Sequence, residues 1–329
     1  MILVTGGAGY IGSHTVRELT DRGYRVVVYD NLSTGHREAV SKDVEFVQGD
    51  LFDTELLRAT LKKYDVDSVI HFAAYSLVGE SMVNPLKYYK NNVSGTLCLL
   101  EAMIAENVKY LVFSSSAATY GNTGAELITE KSPQIPTSVY GMTKLMMEQL
   151  MSDFDKAYGL KYAALRYFNA AGAHESGEIG EDHNPESHLI PIIMQVLNGK
   201  REKLGIFGDD YPTPDGTCIR DYIHITDLAD AHIKALESIK SGAPSTAYNL
   251  GNGNGFSVKQ VVDTVERTIG LSVKNEIAPR RAGDPAILVA SSDKIKKELN
   301  WQPRFDSLEK IISSAWKWHK NHPNGFAQS

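Results

Sequence analysis

Residues 1–12 read MILVTGGAGYIG, and this stretch decides the fold because a short apolar strand runs directly into glycines. Gly6, Gly9 and Gly12 are spaced G-x-x-G-x-x-G, and the helical pattern SHTVRELTDRG follows over residues 13–23, closing at Gly23. Glycines allow a tight turn and let a pyrophosphate approach the free N–H groups of a helix N-terminus. The stretch therefore predicts a strand, a phosphate-binding turn and a helix.

An acidic residue follows at the position where a dinucleotide site needs one. The second strand candidate, YRVVVYD (24–30), ends on Asp30, whose carboxylate would accept hydrogen bonds from an adenosine ribose and repel a 2′-phosphate. This favours NAD over NADP. Asp50 and Leu51, after the third strand candidate, either border the adenine or form an ordinary turn. The alternative to a dinucleotide site is a glycine turn that serves only helix–strand packing. The order of strand, glycines, helix and acidic residue favours the dinucleotide site.

The first half of the chain alternates strand-like and helix-like segments, which is typical of a doubly wound parallel α/β sheet (a Rossmann fold). The strand candidates are ILVTG (2–6), YRVVVYD (24–30), VEFVQGD (44–50), SVIHFAA (68–74), KYLVFSSS (109–116) and KYAALRYFN (161–169). The helix candidates between them are residues 13–23, 54–64, 85–106 and 138–159. After Asn169 come the polar loop AGAHESGEIGEDHNPE (171–186) and a helix over 189–199. We expect a nucleotide-binding domain over 1–169, rejoined by part of 220–255, and a smaller C-terminal α/β substrate domain mainly over 170–329.

Composition narrows the class of protein. The chain has 329 residues, 42% of them hydrophobic, and a net charge of −6, which disfavours a general polyanion-binding surface and so a nucleic-acid partner. Cys98 and Cys218 lie far apart and suggest neither a disulfide framework nor a cysteine zinc site. The first residues lack a signal-peptide pattern, and no apolar run approaches the ~20 residues of a membrane span. We expect a cytoplasmic protein with no membrane partner.

Tyr140 and Lys144 stand four residues apart, so a helix would put them on one face, where the ammonium favours the phenolate. A free tyrosine titrates near pH ~10, so a base working near neutrality needs such a cation. Ser116 closes the strand candidate upstream. Alone, the pair reads as an aromatic residue with a solvated cation and the serine as a strand-end residue. Downstream of a nucleotide site, the three indicate catalysis.

With TGGAGYIGSH, DNLSTGH, VIHFAA, LVFSSSAATYG, YGMTK, LRYFNAAGA, RDYIHITDLADAH, YNLGNG and RRAGDP in order, the chain resembles the UDP-glucose 4-epimerase family of extended short-chain dehydrogenases/reductases from end to end. The resemblance implies retained NAD and a homodimer. It also implies that Tyr140 removes the proton of the sugar 4-hydroxyl, Lys144 lowers the pKa of Tyr140 and holds the nicotinamide ribose, and Ser116 bonds the same sugar oxygen. Ala117 and Ala118 stand where related dehydratases and decarboxylases carry acids, which favours a simple epimerase.

The predicted site falls into a cofactor set and a substrate set. Arginines suit a nucleoside diphosphate because their planar fork binds two oxygens. The cofactor residues are Gly6, Gly9, Tyr10, Ile11, Gly12, Asp30, Asn31, Asp50, Leu51, Phe72, Ala73, Ala74, Asn91, Ser114, Tyr140, Lys144 and Tyr167. The substrate residues are Ser116, Tyr140, Asn169, His188, Leu189, Arg220, Arg281 and Asp284.

The loop after Asn169 holds His174, His183 and His188 beside Glu181 and Asp182. Such a group can suggest a metal, but the spacings match no zinc motif and the family implies none. We therefore predict a polar substrate loop and no metal.

Three departures from the family limit what the resemblance implies: Ser76 for a contact to NAD, and His188 and Leu288 for the substrate. Ser76 replaces a lysine that touches the cofactor in some epimerases, and His188 replaces a substrate-binding asparagine. Leu288 stands between the bulky tyrosine of some members and the smaller residue of those that admit an N-acetyl group. A UDP-N-acetylglucosamine or UDP-pentose 4-epimerase is the rival enzyme, and a nucleotide-sensing protein without turnover is the rival class. Apolar helix faces over 97–103 and 145–151 could pair in a dimer or be buried within the chain.

Overall fold

The computed structural model describes residues 1–124, 127–281 and 285–326. Its strands, in chain order, are β1 (Ile2–Thr5), β2 (Val26–Asp30), β3 (Glu45–Gln48), β4 (Ser68–His71), β5 (Tyr110–Ser114), β6 (Lys161–Tyr167), β7 (Asn169–Ala171), β8 (Leu204–Phe207), β9 (Ile219–Arg220), β10 (Tyr222–His224), β11 (Thr246–Leu250), β12 (Phe256–Ser257), β13 (Asn275–Ala278) and β14 (Ile287–Leu288).

The helices are α1 (Tyr10–Asp21), α2 (Thr54–Lys63), α3 (Val78–Val83), α4 (Pro85–Tyr88), α5 (Gly95–Ala105), α6 (Val139–Tyr158), α7 (Leu189–Leu197), α8 (Ile225–Lys240), α9 (Val258–Ile269), α10 (Asp293–Leu299) and α11 (Leu308–Asn321). Short 3-10 turns cover Arg37–Ala39 and Ala117–Thr119, and a π-helical segment covers Tyr89–Ser94. Among the described helices, none combines the length and the apolar composition that crossing a bilayer requires.

The central sheet of the described residues has seven strands in the order β11-β6-β5-β4-β1-β2-β3, and all its pairings are parallel. β1 pairs with β2 on one side and β4 on the other, so the strand order reverses at β1. Open α/β sheets bind ligands at the carboxyl ends of strands beside such a reversal. The predicted doubly wound fold is confirmed, and it places a crevice next to Gly6.

Both faces of the sheet are covered by helices, which explains why its strands are apolar throughout. On one face α1 and α8 bury side chains such as Leu19 and Leu236. On the other, α2, α5 and α6 bury Leu57, Leu99 and Met147. The crevice therefore stands on a rigid, close-packed layer.

A separate apolar cluster lies beyond the sheet. α7, α9 and α11 pack there around side chains that include Ile193, Val265 and Ile311. The chain nevertheless returns to the large sheet, because β11 pairs with β6 along Thr246–Leu250. The division into domains at Asn169 stays a prediction.

Two helices differ from their predicted form. The helix expected over 13–23 begins at Tyr10, because Gly9 already stands at its N-cap, and Gly23 follows its end with φ +80. The helix expected over 85–106 holds the π-helical segment in its middle. The apolar pattern of residues 85–106 is that of a continuous helix, so it did not indicate the extra residue that a π-helical segment inserts.

Candidate active site

A cleft of about 1590 Å³ opens at the carboxyl ends of β1, β2, β4, β5 and β6. Every described residue of the predicted cofactor and substrate sets lines it. Asp284 lies outside the described residues. Ser76 and Leu288, the departures from the family, also face the cleft. The two sets thus share one continuous space, and the role of each residue in it stays a prediction.

The glycine turn between β1 and α1 is closely packed, except where it meets the cleft. A Cβ on Gly12 would lie 2.1 Å from the carbonyl oxygen of Gly6, and one on Gly6 would lie 2.6 Å from the backbone nitrogen of Ala73. A Cβ on Gly9 would approach protein no closer than 3.4 Å. Gly9 is the N-cap of α1 and no side chain caps the helix there. Backbone N–H groups therefore face the space that a pyrophosphate would take.

Asp30 is buried at the end of β2, with its carboxylate held by the backbone. Its two oxygens accept hydrogen bonds from the N–H groups of Ala8 (2.9 Å) and Leu32 (2.8 Å). Burial raises the pKa of this carboxyl, while the two N–H donors lower it. The side-chain amide of Asn31 donates to Asp50 at 2.8 Å, so these two predicted cofactor residues touch.

These features fit NAD. A helix N-terminus without a side-chain cap suits the pyrophosphate, Asp30 suits an unphosphorylated ribose, and Leu51, Phe72 and Ala73 supply apolar wall for a flat ring.

Ser116 and Tyr140 meet because two turns pack tightly together. Ser138 caps the start of α6, and a Cβ on Gly141 would lie 2.4 Å from the carbonyl oxygen of Ala118. Only a glycine lets α6 approach the 3-10 turn after Ser116 so closely. Ser116 lies beside Tyr140, and its hydroxyl lowers the pKa of that phenol. The sequence reading overlooked Gly141, although it stands within the YGMTK motif.

Lys144 lies one turn along α6 and is only 3% exposed. Its ammonium donates to the carbonyl oxygen of Ser114 at 2.8 Å and lies 5.8 Å from the centre of the Tyr140 ring. The predicted helical face shared by Tyr140 and Lys144 is therefore present.

The pKa of Tyr140 departs from the expectation. Burial raises it to about 12. Burial also lowers the pKa of Lys144 to about 7, although the charge of Glu148 raises it. Among the protein's own groups, Ser116 is the one that lowers the pKa of Tyr140, and the lowering expected from Lys144 stays a prediction. Tyr140 and Lys144 lose solvent together, which disfavours the charged form of each.

The next turn of α6 carries a residue that the sequence reading missed. Glu148 receives two hydrogen bonds from Arg166, at 2.9 Å from Nε and 2.5 Å from Nη2, and both side chains are less than 10% exposed. Its charge raises the pKa of Lys144. The signal available in the sequence was that Glu148 follows Lys144 by four residues and so lies on the same face of the helix.

The π-helical segment shapes the cleft near Tyr75. Asn92 is fully buried and binds both the backbone N–H and the carbonyl of Tyr75, at 2.9 and 3.0 Å. Asn91, which lines the cleft, donates to the Asn92 side chain at 3.0 Å. π-helical segments often occur at functional sites.

The predicted substrate residues come from distant parts of the chain. The side-chain amide of Asn169 donates to the carbonyl of Asp221 at 2.9 Å. Arg220 donates to its neighbour Ile219 at 2.7 Å, and the guanidinium of Arg281 lies 4.0 Å from the centre of the Phe207 ring. Both arginines line the same cleft as His188 and Leu189.

Comparison with known proteins matches the model of the NAD dependent epimerase/dehydratase family to residues 2–251. A UDP-glucose 4-epimerase from Halalkalibacterium halodurans is 55% identical over 326 residues, which are 99% of this chain and 97% of that protein. A crystal structure of a UDP-glucose 4-epimerase is 54% identical, with a TM-score of 0.98 over 99% of both chains. The Brucella ovis UDP-glucose 4-epimerase, solved in complex with NAD, is 49% identical, with a TM-score of 0.93 over 96% of this chain and 97% of that one.

Proposed function

The chain belongs to the NAD dependent epimerase/dehydratase family, and from this premise we propose that it inverts C4 of a UDP-hexose, interconverting UDP-glucose and UDP-galactose. It is an enzyme, and its cofactor is NAD. The observation that carries the proposal is the meeting of Ser116, Tyr140 and Lys144 in the cleft that the glycine turn enters.

NAD would be held by the N–H groups beside Gly9, by Asp30 and by the apolar wall of Leu51 and Phe72. When bound, NAD would supply the reversible hydride acceptor that inversion at C4 requires and a positive charge that favours a phenolate.

Tyr140 takes the proton of the 4-hydroxyl and gives it back after the sugar has turned over. The hydroxyl of Ser116 lowers the pKa of this phenol and so stabilises its ionised form. Lys144, whose ammonium donates to the carbonyl of Ser114, would hold the nicotinamide ribose. Because the proton and the hydride taken from the sugar are both returned to it, the sugar undergoes no net oxidation.

The residues beside Ser116 limit the reaction to inversion. Ala117 and Ala118 occupy the 3-10 turn, and a methyl group cannot carry a proton. Elimination of water would need a further acid or base at this place.

At the other end of the cleft, we propose that Arg220 and Arg281 bind the diphosphate. Asn169, His188 and Leu189 contact the UDP-sugar, and Asp284 the uridine ribose. The supporting observation is that the described members of this set line the same cleft as Tyr140.

The experiment is a conversion assay with purified protein and no added NAD. We expect UDP-galactose to give UDP-glucose without net accumulation of NADH, because the cofactor is regenerated in every turnover. Absence of conversion, with NAD present in the protein, would exclude the reaction and favour a nucleotide-sensing role.

A panel of substrates decides the breadth of the site. Leu288 faces the cleft and packs with Ala117 and Tyr120, so it borders the space beside Ser116. UDP-N-acetylglucosamine and UDP-pentoses should be tested in the same assay. If either is converted faster than UDP-galactose, that sugar and not a UDP-hexose is the main substrate.

We also propose a cytoplasmic homodimer whose NAD-binding domain spans 1–169 with part of 220–255, and whose UDP-sugar domain is mainly 170–329. Most of the two predicted dimer faces is buried within the chain, but Leu97 on α5 and Met146 on α6 are 44% and 42% exposed. These adjacent helices offer apolar surface to a second copy. Light scattering of the holoenzyme should give twice the 36.2 kDa chain mass. A monomer would contradict the proposal.

A further inference from the structure

The loop between β7 and α7 brings together four metal-ligating side chains. Glu181 and His183 repeat as Glu186 and His188 five residues later, and one ligand atom from each lies within 4.8 Å of all the others. Nδ1 of His183 is 3.2 Å from Glu181 and 3.8 Å from Glu186. Nδ1 of His188 is 3.9 Å from Glu186 and in close contact with Glu181. Both imidazoles thus aim the same ring nitrogen at the same two carboxylates.

The two carboxylates are deeply buried, whereas the imidazoles reach the cleft. The side chains of Glu181 and Glu186 are 3% and 4% exposed, against 31% for His183 and 51% for His188. In the described parts of the chain, the cationic partners within ion-pair distance of these carboxylates are the two histidines alone. Two buried carboxylates side by side require positive charge between them.

Both acidic residues are held in place by their surroundings. One oxygen of Glu186 accepts the N–H groups of Ser187 and His188, at 2.7 and 2.8 Å. The indole N–H of Trp318 donates to the backbone carbonyl of Glu181 at 3.2 Å. The contacts to Glu186 use the oxygen that is farther from His183, and the contact to Glu181 holds its backbone, as the outer contacts of a metal site do.

We propose that Glu181, His183, Glu186 and His188 bind one divalent transition-metal ion, of which zinc fits best. Two imidazole nitrogens with two carboxylate oxygens form a four-ligand set that zinc accepts in tetrahedral geometry. Magnesium and calcium prefer sites made of oxygen alone. A divalent cation would balance both buried carboxylates while leaving both imidazoles neutral.

The bound ion would fix the loop at the cleft wall. His188 is the N-cap of α7, so the ion would join the start of that helix to Glu181 and, through it, to Trp318 on α11. The sequence reading found no zinc motif because E-x-H-x-x-E-x-H in an irregular loop is not one of the known spacings. The two carboxylates face Nδ1 of His188, so a bound ion would leave Nε2 for the contact with the UDP-sugar proposed above. The metal site itself does not depend on that function.

The test is zinc binding to the holoenzyme after treatment with a chelator. Calorimetric titration with Zn²⁺ should show one site per chain, and Co²⁺ should give the visible absorption bands of a tetrahedral site. The double variant His183→Gln/His188→Gln should bind zinc more weakly than the parent by at least about 10–100-fold. Removing even a group that only hydrogen-bonds to a metal ligand costs that much affinity. His36→Gln, at a half-exposed histidine outside the group, should bind like the parent.

Two results would overturn the proposal. One is that the parent protein takes up neither stoichiometric zinc nor tetrahedral cobalt, which would leave an ion-pair network only. The other is that the double variant, with an unchanged circular dichroism spectrum, binds zinc as tightly as the parent. The cobalt spectrum needs no variant, and neither readout depends on turnover.

Discussion

At the scale of single residues, burial sets the charges of the catalytic groups. The spacing of Tyr140 and Lys144 predicted which side chains meet, and they do share one face of α6. It did not predict that the pKa of Lys144 falls to about 7 or that of Tyr140 rises to about 12. Those shifts depend on how much protein packs around α6, and a local sequence pattern carries no such information.

Glu148 illustrates the same limit and yields a prediction. Replacing it by Gln leaves Arg166 buried without its anionic partner, so we expect a loss of about 3–5 kcal/mol in the free energy of unfolding. Urea unfolding measures it. The control is Asp21→Asn, which breaks the exposed pair with Arg17 and should cost less than about 1 kcal/mol. Equal losses in the two variants would contradict the account.

At the scale of elements, the strand, glycine turn and helix at β1 and α1 were predicted because they are adjacent in the chain, although the helix begins at Tyr10 and not at Ser13. The glycines of the turn nevertheless have different tasks. Gly12 and Gly6 make room for backbone within the turn, whereas Gly9 leaves room for a ligand.

This difference predicts opposite outcomes for two alanine variants. Gly9→Ala should fold normally, because φ is −77 and the new methyl group meets no protein atom within 3.4 Å. It should carry about tenfold less NAD, since the methyl group faces the pyrophosphate space. Gly12→Ala forces a contact of 2.1 Å and should lose about 1–3 kcal/mol of stability or more.

Circular dichroism reports the fold of both variants, and chromatography of the released nucleotide reports the NAD per chain. A Gly9→Ala protein that retains full NAD would contradict the assignment of the turn.

Helix α8 carries a buried histidine that makes stability depend on pH. His232 is fully buried between Phe72 and Tyr167, and burial lowers its pKa to about 4, although a hydrogen bond to Leu228 raises it. The unfolded chain binds a proton near pH ~6.5. The unfolded state therefore gains protons first as the pH falls, and stability is lost between about pH 6.5 and 4.

Replacing this histidine by Phe removes the titration. Between pH 7 and 5 the parent should lose about 2 kcal/mol relative to His232→Phe, as measured by urea unfolding at both values. If the difference between the two proteins is the same at both pH values, His232 is not held neutral in the fold.

At the scale of the whole molecule, the cleft brings together residues that are far apart in the chain, from Gly6 to Leu288. The sequence predicted the doubly wound sheet, since strands and helices alternate regularly up to residue 169. It placed Glu181, His183 and His188 in one polar loop but did not show that Glu186 joins them, because the conformation of an irregular loop depends on what packs against it. Here Trp318, from the opposite end of the chain, holds that loop.

The central claim is that the cleft performs acid–base chemistry through Tyr140 on a sugar bound beside NAD. The most direct measurement compares Tyr140→Phe with the parent enzyme for conversion of UDP-galactose, with bound NAD quantified in both. The account predicts a loss of turnover of about 100-fold or more, NAD content unchanged, and parent-like turnover for Tyr64→Phe, which lies outside the cleft. Turnover of Tyr140→Phe equal to that of the parent would contradict it.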